Sequence, residues 1–125
     1  MAKAEKRTTT ERISREITRA IAAAENKKAD DILLLDLRTA GGFTDYFLVC
    51  SGGNARQRRA VADAMIEAVA SGGSKPAHVE GYDRSEWILI DYFDFVVHIF
   101  APDTRDFYGL ERLWGNAERV EITNH

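Results

Sequence analysis

Gly52-Gly53-Asn54, set between an apolar run and a helical pattern, is where this chain could hold a phosphate. Backbone N–H groups at such a turn, backed by the start of a helix, favour an anion. Phosphoryl or nucleotidyl transfer also needs carboxylates that hold a metal on the phosphates. Asp63 stands at a suitable distance along the chain, but inside a helix pattern between Ala62 and Ala64. No Asp-x-Asp pair falls on an expected strand, and helix entry alone accounts for the two glycines. A nucleotide-binding or nucleotidyltransferase-like enzyme using the Gly52-Gly53 turn is thus the alternative reading. The preferred one is a protein that is not an enzyme, with no catalytic residue and no cofactor.

Other reactive residue types are as sparse. His98 lies between Val97 and Ile99 and His78 on a different run, and neither has a Cys or second His at zinc-ligand spacing. No metal site is expected. Cys50 follows Leu48-Val49, where burial raises a thiol's pKa and keeps it inert. Ser51 and Ser85 have no evident base partner. Arg56, Arg58 and Arg59 crowd the start of a helix, where positive charge opposes the helix dipole. Either they contact an anion such as an RNA backbone, or they form a solvated face screened by salt.

The elements that carry these residues follow from periodicity. Thr8 with Glu11 resembles a capping box, and Ile13, Ile17 and Ile21 with Ala20 and Ala24 make one apolar stripe on a helix over residues 8–27. Lys27 and Lys28 suit its negative pole. Ile32–Leu35 and Tyr46–Cys50 read as strands buried on both faces. Asn54 caps a second helix to residue 70, with Val61, Met65 and Val69 inward and Ser71-Gly72-Gly73 ending it. After Pro76 the period shortens. Ala77–Glu80, Trp87–Tyr92 and Phe95–Ala101 read as strands, the last two joined by a hairpin through Phe93-Asp94. Pro102 begins short helices, and Val120–Ile122 could add a last strand. The expected fold is α/β (α+β): a single domain over residues 8–122 with a mixed sheet of about five strands and two main helices. Residues 1–7 are expected to be a frayed, flexible N-terminus.

With 125 residues the chain can bury a core without staples. One cysteine excludes an internal disulfide. No apolar run approaches the roughly 20 residues of a membrane span, and the polar N-terminus lacks a signal-peptide core. The expected compartment is the cytoplasm, with no membrane partner. The net charge of −3 is uneven: residues 1–79 carry +3 and residues 80–125 carry −6. Such a chain is a poor candidate for holding DNA by phosphate neutralisation. Its acidic half suits a basic protein partner, or simply solubility.

On Trp87-Ile88-Leu89-Ile90-Asp91 both faces are apolar, with Trp87 and Leu89 on one and Ile88 and Ile90 on the other. Either helices cover both faces or one is kept for a partner. The segment Gly81-Tyr82-Asp83-Arg84-Ser85-Glu86-Trp87 through Phe100, followed by Arg105, Tyr108, Leu110-Glu111 and Leu113-Trp114, resembles the Iojap-like ribosomal silencing factor family. Asp31–Asp36 and Asp45–Gly52 extend the likeness, although family members often carry Gly where this chain has Phe93. The resemblance implies a nucleotidyltransferase-like topology and a translational repressor. It would bind protein fourteen of the large ribosomal subunit at the intersubunit face, sterically blocking subunit association. It also implies an interface of Trp87, Leu89, Asp91, Tyr92, His98, Phe100, Arg105 and Tyr108; for Arg56, Arg58 and Arg59 the charge at the helix start leaves open a contact to ribosomal RNA or a solvated face. An exposed apolar face further suggests a homodimer when the protein is free.

Overall fold

Ile17, Ala20, Ile21 and Ala24 recur at helical spacing and form the buried stripe of α1 (Arg15–Asn26). The computed structural model describes residues 14–39, 44–104, 118–120 and 122. Helix α1 opens at Ser14, whose backbone is extended and whose hydroxyl accepts the Ile17 N–H. The helix expected from residue 8 therefore has its cap at Ser14, and the expected pair Thr8 and Glu11 lies outside the described residues. At its far end Lys28 takes a φ of 62° and the Ala29 N–H reaches back to the Ala24 carbonyl. This is the closing turn usually given to glycine.

Helix α2 (Ala55–Ala70) starts at Asn54, whose side chain accepts the Gln57 N–H at 2.8 Å. Gln57 in turn donates its amide to the carbonyls of Lys27 and Lys28, so the start of α2 caps the end of α1. The buried face of α2 is Arg58, Val61, Ala62, Met65 and Val69. A charged residue thus stands in line with the apolar stripe.

Among the described residues six strands form one mixed sheet: β1 (Asp30–Asp36), β2 (Tyr46–Ser51), β3 (His78–Glu80), β4 (Trp87–Asp91), β5 (Phe95–Phe100) and β6 (Glu118–Val120). Their order is β3-β4-β5-β2-β1-β6, with β2 and β5 parallel and every other pair antiparallel. The parallel pair needs a crossover, which α2 and the β3–β4 hairpin supply. Strands β2 and β5 are central and buried at every position, which is why Tyr46-Phe47-Leu48-Val49-Cys50 and Phe95-Val96-Val97-His98-Ile99 lack polar alternation. The expectation of about five strands falls one short, since β6 pairs with β1 at the edge. Phe93 turns the β4–β5 hairpin with a φ of 72°. Residues 102–104 are helical, as Pro102 suggests.

Both helices pack on one side of the sheet. That core joins Ile17, Ala20, Ala24, Val61, Met65 and Val69 to Leu34, Leu48, Cys50, Ile88, Ile90, Phe95, Val97 and Ile99. The opposite face holds a second cluster of Leu35, Leu37, Phe47, Val49, Val96 and Phe100, with Leu33, Trp87 and Leu89 packed against it. Neither α1 nor α2 contributes to it. No helix of the described residues is long and apolar enough to cross a membrane.

Candidate docking face

Strand parity divides β4. Ile88 and Ile90 point to the helices and are fully buried, while Trp87 and Leu89 point to the other side and are half-buried. Antiparallel register sets Trp87 opposite Phe100, Leu89 opposite His98 and Asp91 opposite Val96. The result is an aromatic cluster. The Trp87 ring lies 5.0 Å from Phe100 and 5.9 Å from His98, and His98 meets the edge of Phe47 at 4.5 Å.

The Trp87 indole N–H donates to His98 Nδ1 at 3.0 Å. That bond requires an unprotonated Nδ1, so a neutral His98 carries its proton on Nε2. His98 Nε2 is buried and has no hydrogen-bond partner among the described residues. Burial pushes the imidazole down to about 4, which keeps it neutral at neutral pH. His98 is therefore a core residue that orients Trp87. Asp91 accepts the Phe93 N–H and ends the strand.

The structure brings together Trp87, Leu89, Asp91, His98 and Phe100 of the expected interface and sets Tyr92 apart. Tyr92 lies in the helix-side core, stacked on Phe95 at 4.7 Å, and burial pushes its hydroxyl up to about 12. Arg105 and Tyr108 lie outside the described residues. Acidic side chains flank the face in sequence: Glu86 and Asp94 are exposed and Asp91 is half-buried.

The arginine trio is split as well. Arg56 is exposed. Arg59 is partly buried and donates to the Asp83 carbonyl at 2.9 Å. Arg58 is buried, with its guanidinium spent on the Gly52 carbonyl and on the carbonyl and hydroxyl of Ser85. Burial removes it from a surface that an RNA could reach.

The Gly52-Gly53 turn is likewise committed within the protein. The Gly53 N–H goes to Gln57 and the Gly52 N–H to the Phe100 carbonyl. A Cβ at Gly52 would come within 2.8 Å of Arg58 Cγ, so the Arg58 side chain packs directly against the turn. Asp63 accepts the Tyr82 hydroxyl. Among the described residues no three His, Cys, Asp or Glu side chains are grouped to hold a metal.

A family model described as ribosomal silencing factor during starvation matches residues 10–125. The chain belongs to that family. It is similar to the ribosomal silencing factor of Bacillus subtilis, with 39% identity over 103 residues, 82% of this chain and 87% of that protein. The chloroplastic protein Iojap of Zea mays is 36% identical over 107 residues, covering 80% of this chain and 43% of the maize protein. A crystal structure from Chromobacterium violaceum superposes with a TM-score of 0.77 at 31% identity, covering 87% of this chain and 88% of that one. The mixed-sheet architecture is thus that of ribosomal silencing factors, a family named for regulation.

Proposed function

We propose that this ribosomal silencing factor docks on the large ribosomal subunit through the β4–β5 face away from the helices. Its target there is protein fourteen, at the intersubunit side, and the bound domain stands where the small subunit must come. Steric exclusion then represses translation in the cytoplasm without any catalytic step. The supporting observation is the pair Trp87 and Leu89, half-buried on a face that α1 and α2 leave uncovered and flanked by Glu86, Asp91 and Asp94. A desolvated aromatic beside an aliphatic residue is typical of an interface anchor, and the acidic flank suits a basic partner. Arg56, the exposed member of the arginine trio, adds an RNA contact. In the free protein the same face is the surface for a homodimer that exchanges for the ribosome.

Sucrose-gradient sedimentation with purified subunits tests this reading. The protein should travel with large subunits and reduce the peak of joined ribosomes. Trp87→Ala should weaken binding by ~2–4 kcal/mol, about 30- to 1,000-fold. Because the indole also bonds His98 and packs on Phe100, thermal melting must accompany the binding measurement. A folded Trp87→Ala protein that binds large subunits as well as the parent eliminates this face.

A further inference from the structure

Trp87 is launched by the loop of residues 81–86, and α2 grips that loop at three places. Arg58 holds Ser85 by both its carbonyl and its hydroxyl, Arg59 holds the Asp83 carbonyl, and Asp63 accepts the Tyr82 hydroxyl at 3.0 Å. The loop needs such support because its backbone is costly. Ser85 holds a positive φ of 61°, a strained conformation for a residue with a side chain, while Gly81 takes its φ of 78° freely. A Cβ on Gly81 would drive into the Trp87 carbonyl, and the Ser85 N–H donates to the Gly81 carbonyl at 2.7 Å. Ser85 is completely buried although it belongs to a loop.

Arg58 is the hub. One arm of its guanidinium reaches the Gly52 carbonyl at the end of β2, and the other side reaches Ser85. Gly52 is itself bonded to Phe100, and Phe100 is the register partner of Trp87 and packs on its ring. The Ala101 N–H donates to the Glu86 carbonyl and closes the same corner. A planar fork with five donors can bridge two elements in fixed geometry, which a flexible ammonium cannot. Burial lowers the Arg58 pKa while nearby Glu86 opposes that shift, so the cation is kept in the core by carbonyls and a neighbouring carboxylate.

We propose that Arg58 is a positioning residue for the docking face: its guanidinium ties the end of β2 to the loop of residues 81–86 and so presents Trp87 in its binding orientation. This rests on the docking reading above. A preorganised anchor binds without the cost of ordering. When the competent state is only fractionally populated, apparent affinity falls by that fraction.

Arg58→Met keeps the volume and removes the fork. Large-subunit affinity should fall about tenfold if one loop in ten remains competent. Amide exchange should rise at Ser85 and Ala101 while that of the central β2 and β5 amides stays as in the parent. In a Trp87→Ala background the same substitution should cost almost nothing further, since residues that act through one another are not additive. Should Arg58→Met fail to fold, the surface pair Arg59→Ala with Tyr82→Phe releases the outer grips and should lower affinity in the same non-additive way. Full affinity in these variants, or a loss that adds to that of Trp87→Ala, overturns the role of Arg58. If instead Trp87→Ala itself binds like the parent, the docking reading has failed, and exchange at Ser85 still reports whether Arg58 holds the loop.

Discussion

Ile88 and Ile90 face the helices and lose all contact with water, whereas Trp87 and Leu89, one residue away on the same strand, face the other way and keep part of their surface. The helix side combines aliphatic residues with Tyr46, Tyr92 and Phe95 and is closed by Val61, Met65 and Val69 of α2. The opposite side sets Phe47, Trp87 and Phe100 around a histidine that accepts a hydrogen bond from the tryptophan. Each layer has one polar atom without a partner among the described residues, the Tyr92 hydroxyl on the helix side and His98 Nε2 on the other. A single strand thus serves two purposes with alternate residues. The side that only holds the fold is sealed by α1 and α2. The side that we assign to docking retains large rings and a buried donor.

Truncation on the helix side should give the largest effect and should act on stability alone. Ile90→Ala removes a fully buried side chain and should cost ~2–5 kcal/mol, read by urea denaturation. The fraction that stays folded should bind large subunits like the parent. A variant that melts normally and binds poorly would reverse the roles of the two faces.

The opposite face should reveal itself by acid. His98 is neutral when folded and its pKa is lowered to about 4 by burial. The unfolded chain takes up a proton near pH 6.5, and the folded chain does so only near 4. Its contribution is present above pH 6.5 and is lost as pH falls toward 4, on the order of 3 kcal/mol in all. Protonation of Nδ1 would also break the bond from Trp87. Urea denaturation across this range should show a steep loss in the parent and a shallower one in His98→Gln, since carboxylates titrate in both. Identical slopes would mean that His98 is not the group that senses acid.

Much of this two-sidedness was legible in the sequence. Two apolar faces on β4 and helices too few to cover both implied an uneven sheet, and period-two parity identified Trp87 and Leu89 as neighbours. Tyr92 was readable by the same parity, because it follows Asp91 and falls in step with Ile88 and Ile90. Its grouping with the interface ignored that count. Arg58 was hidden by its type. Charge suggested a solvated face, yet its spacing to Val61, Ala62, Met65 and Val69 is that of the buried stripe. Only the structure shows what offsets the cost, the carbonyl of Gly52 just before the helix and the carbonyl and hydroxyl of Ser85, 27 residues on. The start of α1 was read from the pairing of Thr8 with Glu11, whereas the described backbone is capped at Ser14.

The smallest effect is expected at the hairpin tip, where the two faces meet. Phe93 has a φ of 72° and its side chain is 74% exposed, so it carries a backbone strain that burial hardly offsets. A left-handed conformation costs an ordinary residue roughly 1–2 kcal/mol, and glycine adopts it freely at an entropic cost of about 0.5–1 kcal/mol. The turn is otherwise well held: the Phe93 N–H goes to Asp91, and its carbonyl accepts the Thr44 hydroxyl at 2.6 Å. Neither bond uses the ring. Phe93→Gly should therefore raise stability by about 0.5–1 kcal/mol, visible as a higher melting temperature, with large-subunit affinity unchanged. If stability rises and affinity falls, the exposed ring belongs to the docking face, which then extends from Trp87 to the hairpin tip. If stability falls, the ring packs in solution, and the turn is held by apolar contact as well as by its two hydrogen bonds.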